Sequence, residues 1–254
     1  MNDSDDVSGK VAVITGASRG IGAGLAKRFA HRGMLIGICA RTTPAAPQIN
    51  PALSPPDRVV ASSVDVQSYE ALESFAAEVV ERFGRIDLWV NNAGVLAPIG
   101  ALRDCDPTLF ATNVAINVTG VAFGSRIFAR HVRSREGGGV LINVTSGAAE
   151  APYEGWAAYC GSKAAVNMIT EVVALEERDT GLEAYAVAPG VVDTGMQELI
   201  RSCTPEQFPA VGRFLQIAAD GAFRSAEWIA DRLLDLAFTG ADPALRTAGT
   251  ALRL

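Results

Sequence analysis

A short apolar run followed at once by three spaced glycines constrains the fold of this chain more than any other feature. The segment 11–15 has the continuous apolar character of a strand buried on both faces, and Gly16, Gly20 and Gly22 follow it. A helical pattern then runs from about residue 21 to residue 32. Strand, glycine-rich turn and helix in this order bring bare backbone N–H groups and the positive end of a helix to a pyrophosphate. Because the spacing is G-x-x-x-G-x-G, the dinucleotide prediction depends on the flanking strand and helix.

Apolar strand-like segments alternate with helical patterns along the whole chain. Such alternation predicts an α/β fold built on a doubly wound parallel sheet with helices on both faces. The predicted strands lie near residues 11–15, 34–40, 59–64, 87–91, 140–144 and 183–188, with a seventh near 247–252. The 254 residues, 49% of them hydrophobic, suit one domain over residues 9–254 after a flexible start at 1–8.

One crossover departs from this alternation. The segment 42–57 contains five prolines, which excludes an ordinary helix there. We expect an extended loop that is still long enough to connect two parallel strands.

Composition and charge exclude several classes of function. The net charge is -6 and no basic stripe is present, so nucleic acid is not an expected partner. The acidic start is unlike a signal sequence, and no apolar stretch reaches the roughly 18 residues of a membrane span. We therefore expect a soluble, cytoplasmic protein. The four cysteines show no C-x-x-C pairing and only two histidines could join them, so no metal site is predicted.

Tyr159 and Lys163 lie four residues apart in a segment, 157–178, whose apolar residues recur at helical spacing. On a helix, these two side chains lie one turn apart on the same face. A nearby ammonium favours the phenolate, so Lys163 is expected to lower the pKa of Tyr159 and make it an acid/base group at neutral pH. Ser146 lies 13 residues upstream of the tyrosine. The alternative is a solvated Tyr and a surface Lys that share a helix.

The end of the second predicted strand bears on the choice of cofactor. Dinucleotide-binding folds place there the residue that meets the adenosine ribose, and an acid at this point selects NAD. This chain has Ala40 and Arg41 instead, with Arg19 inside the glycine turn. Two guanidiniums would give charge-assisted contacts to a 2′-phosphate, so NADPH is predicted over NADH. The alternative is that Arg41 is a solvated residue at the strand end.

In their order and spacing, these motifs resemble the short-chain dehydrogenase/reductase family over nearly the whole chain. The matching positions are Thr15 to Gly22, Asn91 to Gly94, Asn117, Ser146, Tyr159, Lys163, and Pro189 with Gly190. The resemblance implies a single Rossmann-like, NADP-binding catalytic domain that transfers hydride to a small-molecule ketone. It also implies a homodimer or homotetramer, paired through the helices that bear Asn117 and Tyr159.

The resemblance further implies which residues hold the cofactor. They come from the glycine turn, the strand ends, the catalytic helix and the loop after the sixth strand. The expected cofactor residues are Gly16, Ser18, Arg19, Gly20, Ile21, Gly22, Arg41, Asp65, Val66, Asn92, Ala93, Gly94, Tyr159, Lys163, Pro189, Gly190, Val192 and Thr194. Asp65 would contact the adenine, although it is equally suited to cap a helix that begins near Gln67.

By the same resemblance, four residues carry the reaction. Tyr159 gives a proton to the carbonyl oxygen, and Ser146 donates a hydrogen bond to that oxygen. Lys163 also holds the nicotinamide ribose. Asn117, on a long helix predicted after Pro107, anchors a water that supplies protons to Lys163. The alternative for Asn117 is an amide on the helix surface.

The region after the sixth strand is expected to select the substrate. Residues 193–222 are interpreted as a mobile lid, and the end of the chain resembles the sepiapterin reductase and benzil reductase branch, which reduces vicinal dicarbonyls. Arg253 stands where pterin-reducing members carry an acid, so an aromatic or α-dicarbonyl ketone is predicted rather than a pterin. The expected pocket walls are Leu96, Tyr153, Trp156, Met196 and Phe214. Any of these could equally be core residues.

Two other functions stay open on the sequence alone. The first is a 3-oxoacyl thioester reductase, which a basic patch for a carrier protein would favour. Arg126, Arg130, Arg133 and Arg135 could form such a patch, or they could be a solvated helix face. The second is a non-catalytic sensor of the NADP pool, which would need no proton donor such as Tyr159.

Overall fold

The computed structural model describes residues 7–42, 44, 56–239 and 251–254, and within them the strands form one sheet. The strands are β1 Val11–Thr15, β2 Leu35–Ala40, β3 Val59–Ser63, β4 Leu88–Asn91, β5 Gly139–Val144, β6 Leu182–Ala188 and β7 Ala251–Arg253. All strand pairs are parallel, in the order β3-β2-β1-β4-β5-β6-β7. The predicted α/β fold with a doubly wound parallel sheet is confirmed.

Helices cover both faces of the sheet. They are α1 Gly20–His31, α2 Tyr69–Phe83, α3 Pro107–Val114, α4 Gly120–Arg133, α5 Ala157–Glu177, α6 Gly195–Arg201, α7 Val211–Ala219 and α8 Ala226–Leu234. The helices expected over 21–32 and 157–178 correspond to α1 and α5. In the described part of the chain, no helix is both long enough and apolar enough to cross a membrane.

Alternating side chains along the strands build a separate core on each face. In β1, Ile14 belongs to the same buried cluster as Leu25 of α1, whereas its neighbour Val13 packs with Phe75 of α2 and Phe128 of α4. Successive side chains of a strand point to opposite faces, so a strand covered on both sides needs a continuous apolar run. This explains why the segment 11–15 could be recognised as a central strand.

A π-helical turn, Ala115–Thr119, joins α3 to α4 without a break. α3 begins at Pro107, and the carboxylate of its N-cap, Asp106, accepts a hydrogen bond from the N–H of Thr108 at 2.7 Å. Turns of this kind occur frequently at functional sites, and this one contains Asn117.

Some predicted segments are described only in part. Residues 1–6 of the predicted flexible start lie outside the described residues, whereas Val7 is buried. Most of the proline-rich segment 42–57 and the first part of the last predicted strand, 247–250, also lie outside them. The predicted lid, 193–222, contains α6 and α7.

Candidate active site

The carboxyl ends of the strands open into one deep cleft of about 820 Å³. It lies where the strand order reverses, because β1 pairs with both β2 and β4, and ligands of doubly wound sheets bind at such a point. Every predicted cofactor residue except Gly22 lines this cleft, and so do all five predicted pocket residues. The cleft therefore joins the expected cofactor site to the expected substrate pocket.

The glycine turn is fastened to the loop after β4. Gly16 has a φ of +67°, and a Cβ at this position would lie 2.6 Å from the Cα of Ala93. The side-chain amide of Asn92 donates to the carbonyl oxygens of Thr15 at 2.9 Å and Gly16 at 3.1 Å. In return, Thr15 Oγ1 accepts from the backbone N–H groups of Asn92 and Ala93, both at 3.1 Å. These contacts hold the turn in shape.

The start of α1 has the properties of a pyrophosphate cradle. Gly20 opens the helix with a φ of +58°, and the extended Arg19 before it makes no side-chain cap hydrogen bond. The first N–H groups of α1 are therefore available to an anion, and the glycines let it approach closely. These features fit a dinucleotide.

Gly22 has a packing role within the glycine turn. A Cβ at Gly22 would lie 2.5 Å from both the carbonyl oxygen of Gly16 and the amide nitrogen of Asn92. Gly22 does not line the cleft. Its missing side chain lets the turn close on itself, and its contact with the cofactor stays a prediction.

The loop after β6 forms the opposite wall. Gly190 has a φ of +76°, in the region that glycine adopts most readily, and Val192 forms a parallel bridge with Arg224. This path places Pro189 and Thr194 along the cleft. Thr194 is the N-cap of α6 but makes no side-chain cap hydrogen bond, so its hydroxyl stays available to a ligand.

Arg19 and Arg41 are exposed and line the same end of the cleft as Asp65. Asp65 accepts a hydrogen bond from the N–H of Gln67 at 3.0 Å. The helix that follows is capped by Ser68, whose hydroxyl accepts from the N–H of Ala71, and not by Asp65. The possibility that Asp65 caps α2 is therefore wrong, while its position beside the cleft agrees with the other alternative.

Tyr159 and Ser146 meet inside the cleft. Tyr159 is 7% exposed, and burial raises the pKa of its hydroxyl, while a hydrogen bond from Ser146 acts in the opposite direction. Ser146 follows β5, and its Oγ also accepts from the N–H of Ala148 at 3.2 Å. The tyrosine is therefore held as a neutral phenol, which is the form that can give up a proton.

Lys163 is buried one turn along α5, and its Nζ donates to the carbonyl oxygen of Val144 at 2.8 Å. Burial lowers the pKa of Lys163 to about 8. Nζ lies 5.8 Å from the centroid of the Tyr159 ring. The prediction that Lys163 lowers the pKa of Tyr159 is wrong for this structure, because burial of the phenol dominates and the ammonium is bound to Val144.

Asn117 is fully buried and lies behind the cleft rather than on a helix surface. Its Oδ1 accepts from the N–H of Val95, and its Nδ2 donates to the carbonyl oxygen of Val95, both at 2.8 Å. Nδ2 also donates to Ser162 Oγ at 3.1 Å, and Ser162 in turn donates to the carbonyl oxygen of Tyr159 at 2.9 Å. Asn117 thus positions α5 against the loop after β4, and its anchoring of a water stays a prediction.

A buried polar network that the sequence analysis missed lies beneath these residues. Trp89 Nε1 donates to Asn91 Oδ1 at 2.8 Å, and Asn91 Nδ2 donates to Asn143 Oδ1 at 2.8 Å. Asn143 Nδ2 then donates to Thr170 Oγ1 at 2.9 Å, and Asn91 also reaches Ser125 on α4. The network ties β4 and β5 to α4 and α5, so the strand end before Ser146 and the helix of Tyr159 are fixed relative to each other.

The substrate half of the cleft is aromatic. Trp156 stacks on Phe208 with centroids 4.3 Å apart and an interplanar angle of 4°, and it meets Tyr159 edge-on at 5.7 Å and 81°. The ring centroid of Trp156 lies 5.0 Å from that of Tyr153 and 5.5 Å from that of Phe214. The predicted walls therefore form a packed cluster and line the cleft at the same time.

Two arginines lie at the rim of the cleft, and only Arg253 was expected there from the sequence. Arg213 on α7 donates to the hydroxyl of Tyr153 at 2.8 Å. Arg253 on β7 forms an ion pair with Glu150, and both arginines line the cleft. No sequence signal pairs Arg213 with Tyr153, because 60 residues separate them.

The family model described as short chain dehydrogenase matches residues 10–204. The chain belongs to this short-chain dehydrogenase family. Its members bind nicotinamide cofactors, NAD or NADP, and the chain is accordingly an oxidoreductase that acts on CH–OH or C=O groups.

Curated members of the family resemble the chain over most of their length. A benzil reductase ((S)-benzoin forming) of Bacillus cereus is 33% identical over 239 residues, covering 89% of this chain and 93% of the relative. The corresponding enzyme of Bacillus subtilis (strain 168) is 32% identical, covering 91% and 94%. The 3beta-hydroxysteroid dehydrogenase 1 of Eggerthella lenta is also 32% identical, covering 89% and 88%.

Solved structures of short-chain dehydrogenases share the fold. The KRED1-Pglu enzyme superposes with a TM-score of 0.84 at 32% identity, covering 96% of this chain and 100% of that one. A short-chain type dehydrogenase/reductase from Mycobacterium marinum gives a TM-score of 0.84 at 25% identity, covering 99% and 96%.

Proposed function

We propose that this protein is an NADPH-dependent carbonyl reductase of aromatic or α-dicarbonyl ketones. The observation that carries the proposal is the placement of the Tyr159 and Ser146 hydroxyls in one cleft, between a dinucleotide cradle and an aromatic pocket. A non-catalytic sensor would need the cradle but not the proton donor.

When bound, NADPH supplies a hydride to the carbonyl carbon. Tyr159 supplies the proton that the carbonyl oxygen needs to become a hydroxyl. Burial raises the pKa of the Tyr159 hydroxyl, so the group carries its proton at neutral pH, as a donor in the direction of reduction must. Ser146 donates a hydrogen bond to the same oxygen as negative charge develops on it. Lys163 and Thr194 would bind the nicotinamide end of the cofactor.

The preference for NADPH is supported by charge at the adenosine end. Arg19 and Arg41 line this end, and Ala40 stands where an acid would repel a 2′-phosphate. Guanidiniums bind phosphate oxygens through paired, charge-assisted hydrogen bonds. Asp65 lies at the same end, but its carboxylate accepts hydrogen bonds from the backbone N–H and the side-chain amide of Gln67, in the turn before α2.

The substrate class is supported by the pocket and by the relatives. A pocket whose wall contains Trp156, Tyr153 and Phe214 suits an aryl ketone. Two of the relatives are benzil reductases, and benzil is an aromatic α-dicarbonyl. Arg253 would not hold a pterin ring as an acid would.

The carrier-protein alternative receives no support from the arginine patch. Arg126, Arg130 and Arg133 border a groove between α4 and α5, and none of them lines the cleft. Arg135 instead donates to His131 at 3.0 Å.

The outer face of α5 supports pairing of two chains, which we propose as the arrangement in solution. Met168, Val172 and Leu175 are large apolar residues exposed by 59%, 42% and 64%. Met168 and Val172 also line the groove between α4 and α5, and exposed apolar patches of this kind mark interfaces. Light scattering of the wild type and of Val172→Glu tests this, and a monomeric wild type would contradict it.

The function is tested by the rate of NADPH and NADH oxidation with benzil, diacetyl, sepiapterin and an acetoacetyl thioester. Turnover of benzil with NADPH is expected to be the fastest. Faster turnover with NADH would contradict the roles of Arg19 and Arg41. Turnover of the thioester alone would support the 3-oxoacyl reductase, and tight cofactor binding without any turnover would support the sensor.

A further inference from the structure

The lining of the cleft is cationic, although the protein as a whole is acidic. Among the described residues, five cationic side chains line the cleft and only one carboxylate does, that of Asp65, whereas the chain has a net charge of -6. The adenosine end and the catalytic lysine account for three of the cations. The other two, Arg213 and Arg253, lie in the substrate half, where no acidic side chain of the described residues lines the cleft. A cleft lined by one sign of charge attracts ligands of the opposite sign.

The two arginines of the substrate half differ in their partners. Arg253 on β7 forms an ion pair with Glu150, which neutralises its charge. In the described part of the chain, no carboxylate forms an ion pair with Arg213. Its Nη1 donates instead to the neutral hydroxyl of Tyr153 at 2.8 Å. A guanidinium has five N–H donors, so most of those of Arg213, and its whole charge, remain for a ligand.

Arg213 is exposed, but the residues on either side of its guanidinium are anchored in the aromatic cluster. The ring of Tyr153 packs against Trp156 with centroids 5.0 Å apart. Phe214, the next residue on α7, is 6% exposed, and its ring centroid lies 6.4 Å from that of Tyr153. The hydrogen bond to Tyr153 therefore holds the guanidinium at the rim of the aromatic pocket. A planar fork that is already oriented loses little freedom when it binds a second planar group.

The chemistry of this rim suits a carboxylate attached to an aromatic ring. A ring packed against the aromatic wall can extend a substituent to the solvent-facing rim, where a charged group keeps part of its hydration and avoids the cost of full burial. A carboxylate matches the guanidinium fork and forms charge-assisted hydrogen bonds with it.

We propose that Arg213 determines substrate specificity by binding a carboxylate carried on the aryl group of the ketone, while Tyr159 and Ser146 act on the carbonyl oxygen. This inference rests on the proposed carbonyl reductase function and narrows its substrate class to aryl ketones that carry an acid. Arg253 is not assigned this role, because Glu150 already pairs with it.

The test compares benzil that carries a carboxylate on one ring with benzil that carries a carboxamide there, which is similar in shape but uncharged. Pairs substituted at the 3 and at the 4 position are both measured with NADPH. For at least one pair, we expect Arg213→Gln to lower the acid-to-amide ratio of kcat/KM about three- to tenfold. Because the ratio is taken within each variant, any general damage to the lid cancels. Arg213→Lys should keep part of the ratio, and Arg178→Gln, at an exposed position outside the cleft, should leave it unchanged.

The kinetic outcomes are distinct. An acid-to-amide ratio that Arg213→Gln leaves unchanged for both pairs would overturn the inference while leaving the carbonyl reductase in place. A loss of the ratio in Arg253→Gln and not in Arg213→Gln would overturn the assignment to Arg213. The wild-type ratio should also fall when NaCl is raised from about 20 mM to about 500 mM, because salt screens a pair at an exposed rim.

A binding measurement separates this inference from the proposed function. Biphenyl-3-carboxylate, biphenyl-4-carboxylate and the two matching carboxamides contain no ketone, and calorimetric titration into the protein saturated with NADP measures their affinities. At least one acid should bind more tightly than its amide, and Arg213→Gln should remove the difference. If the wild type reduces no ketone, the proposed function fails, and the titration alone tests the carboxylate site. Equal affinities of acids and amides would then remove the site as well.

Discussion

Nζ of Lys163 lies 2.8 Å from the carbonyl oxygen of Val144, at the end of β5 and directly before the segment that carries Ser146. The contact holds an ammonium in a buried position, 4% exposed, and no carboxylate of the described residues forms an ion pair with it. Burial of an unpaired charge disfavours its protonated form. The residue that the reaction needs is therefore a source of instability in the folded protein.

Lys163→Met should abolish ketone reduction and raise the free energy of unfolding at pH 7 by about 1–3 kcal/mol. The folded-state pKa of Lys163 is about 8, below its ordinary value of 10.5. Between these values the unfolded chain binds more protons than the folded one, so wild-type stability rises with pH and the advantage of the variant shrinks. Urea unfolding at pH 7 and pH 9.5 measures this. An advantage that does not change with pH would contradict it.

Tyr159→Phe should lower kcat for ketone reduction by a factor on the order of 10² to 10⁴, since the proton donor is removed. The fold should persist, because the phenyl ring keeps its edge-on contact with Trp156 and only the hydrogen bond with Ser146 is lost. Stopped-flow measurement of NADPH oxidation reports the rate, and fluorescence titration reports cofactor binding. Tyr69→Phe, at the half-buried start of α2 and outside the cleft, is the control. A variant that reduces benzil as fast as the wild type would remove the basis of the proposed chemistry.

Gly124→Ala should destabilise the protein by about 1–3 kcal/mol, as overpacking of a closed interior does. A Cβ on Gly124 of α4 would lie 2.1 Å from Asn91 Oδ1 and 2.8 Å from Trp89 Nε1, in the middle of the buried network. Gly161→Ala on α5 meets no atom within 4 Å and should stabilise by about 0.5–1 kcal/mol. Chemical denaturation measures the free energy of unfolding of both variants. If the two substitutions changed it equally, the buried network would be shown to accommodate an added methyl group.

His131 should make the protein less stable in mild acid. Its Nε2 accepts from the N–H of Ile86 and from Arg135 Nε, both at 3.0 Å, and burial, Arg135 and Arg85 lower the pKa of the ring below 6.5. The neutral ring stabilises the fold fully above pH 6.5, and this contribution is lost as pH falls from 6.5 toward the lower folded-state value. His131→Gln keeps an acceptor that does not titrate. Melting temperatures from pH 5 to 8 should fall less steeply in this variant, and parallel curves would disprove the effect.

Local chemistry made much of the fold and site predictable. A strand covered on both faces has to be apolar throughout, so β1 was recognisable, and φ values above zero at Gly16 and Gly20 explain the glycines after it. Helical spacing alone placed Tyr159 and Lys163 on one face of α5.

Contacts between distant segments were not predictable in the same way. Asn91 meets Asn143 across 52 residues because β4 and β5 are in register, and one sequence does not reveal which strands pair. The pKa of Tyr159 was predicted in the wrong direction for a similar reason. The spacing showed a nearby ammonium but not that burial would dominate, nor that a backbone carbonyl would hold the ammonium.

The aromatic cluster around Trp156 is distinct from the two clusters that sandwich the sheet, and α6 and α7 supply much of it. Tyr159 belongs to this cluster as well, but it is carried on α5, and Ser146 follows β5. Exchange of the segment 193–222 with that of a relative should therefore alter ketone preference while leaving Ser146, Tyr159 and Lys163 in place. This modular division would let new substrate ranges evolve, or be engineered, by grafting one contiguous stretch of chain.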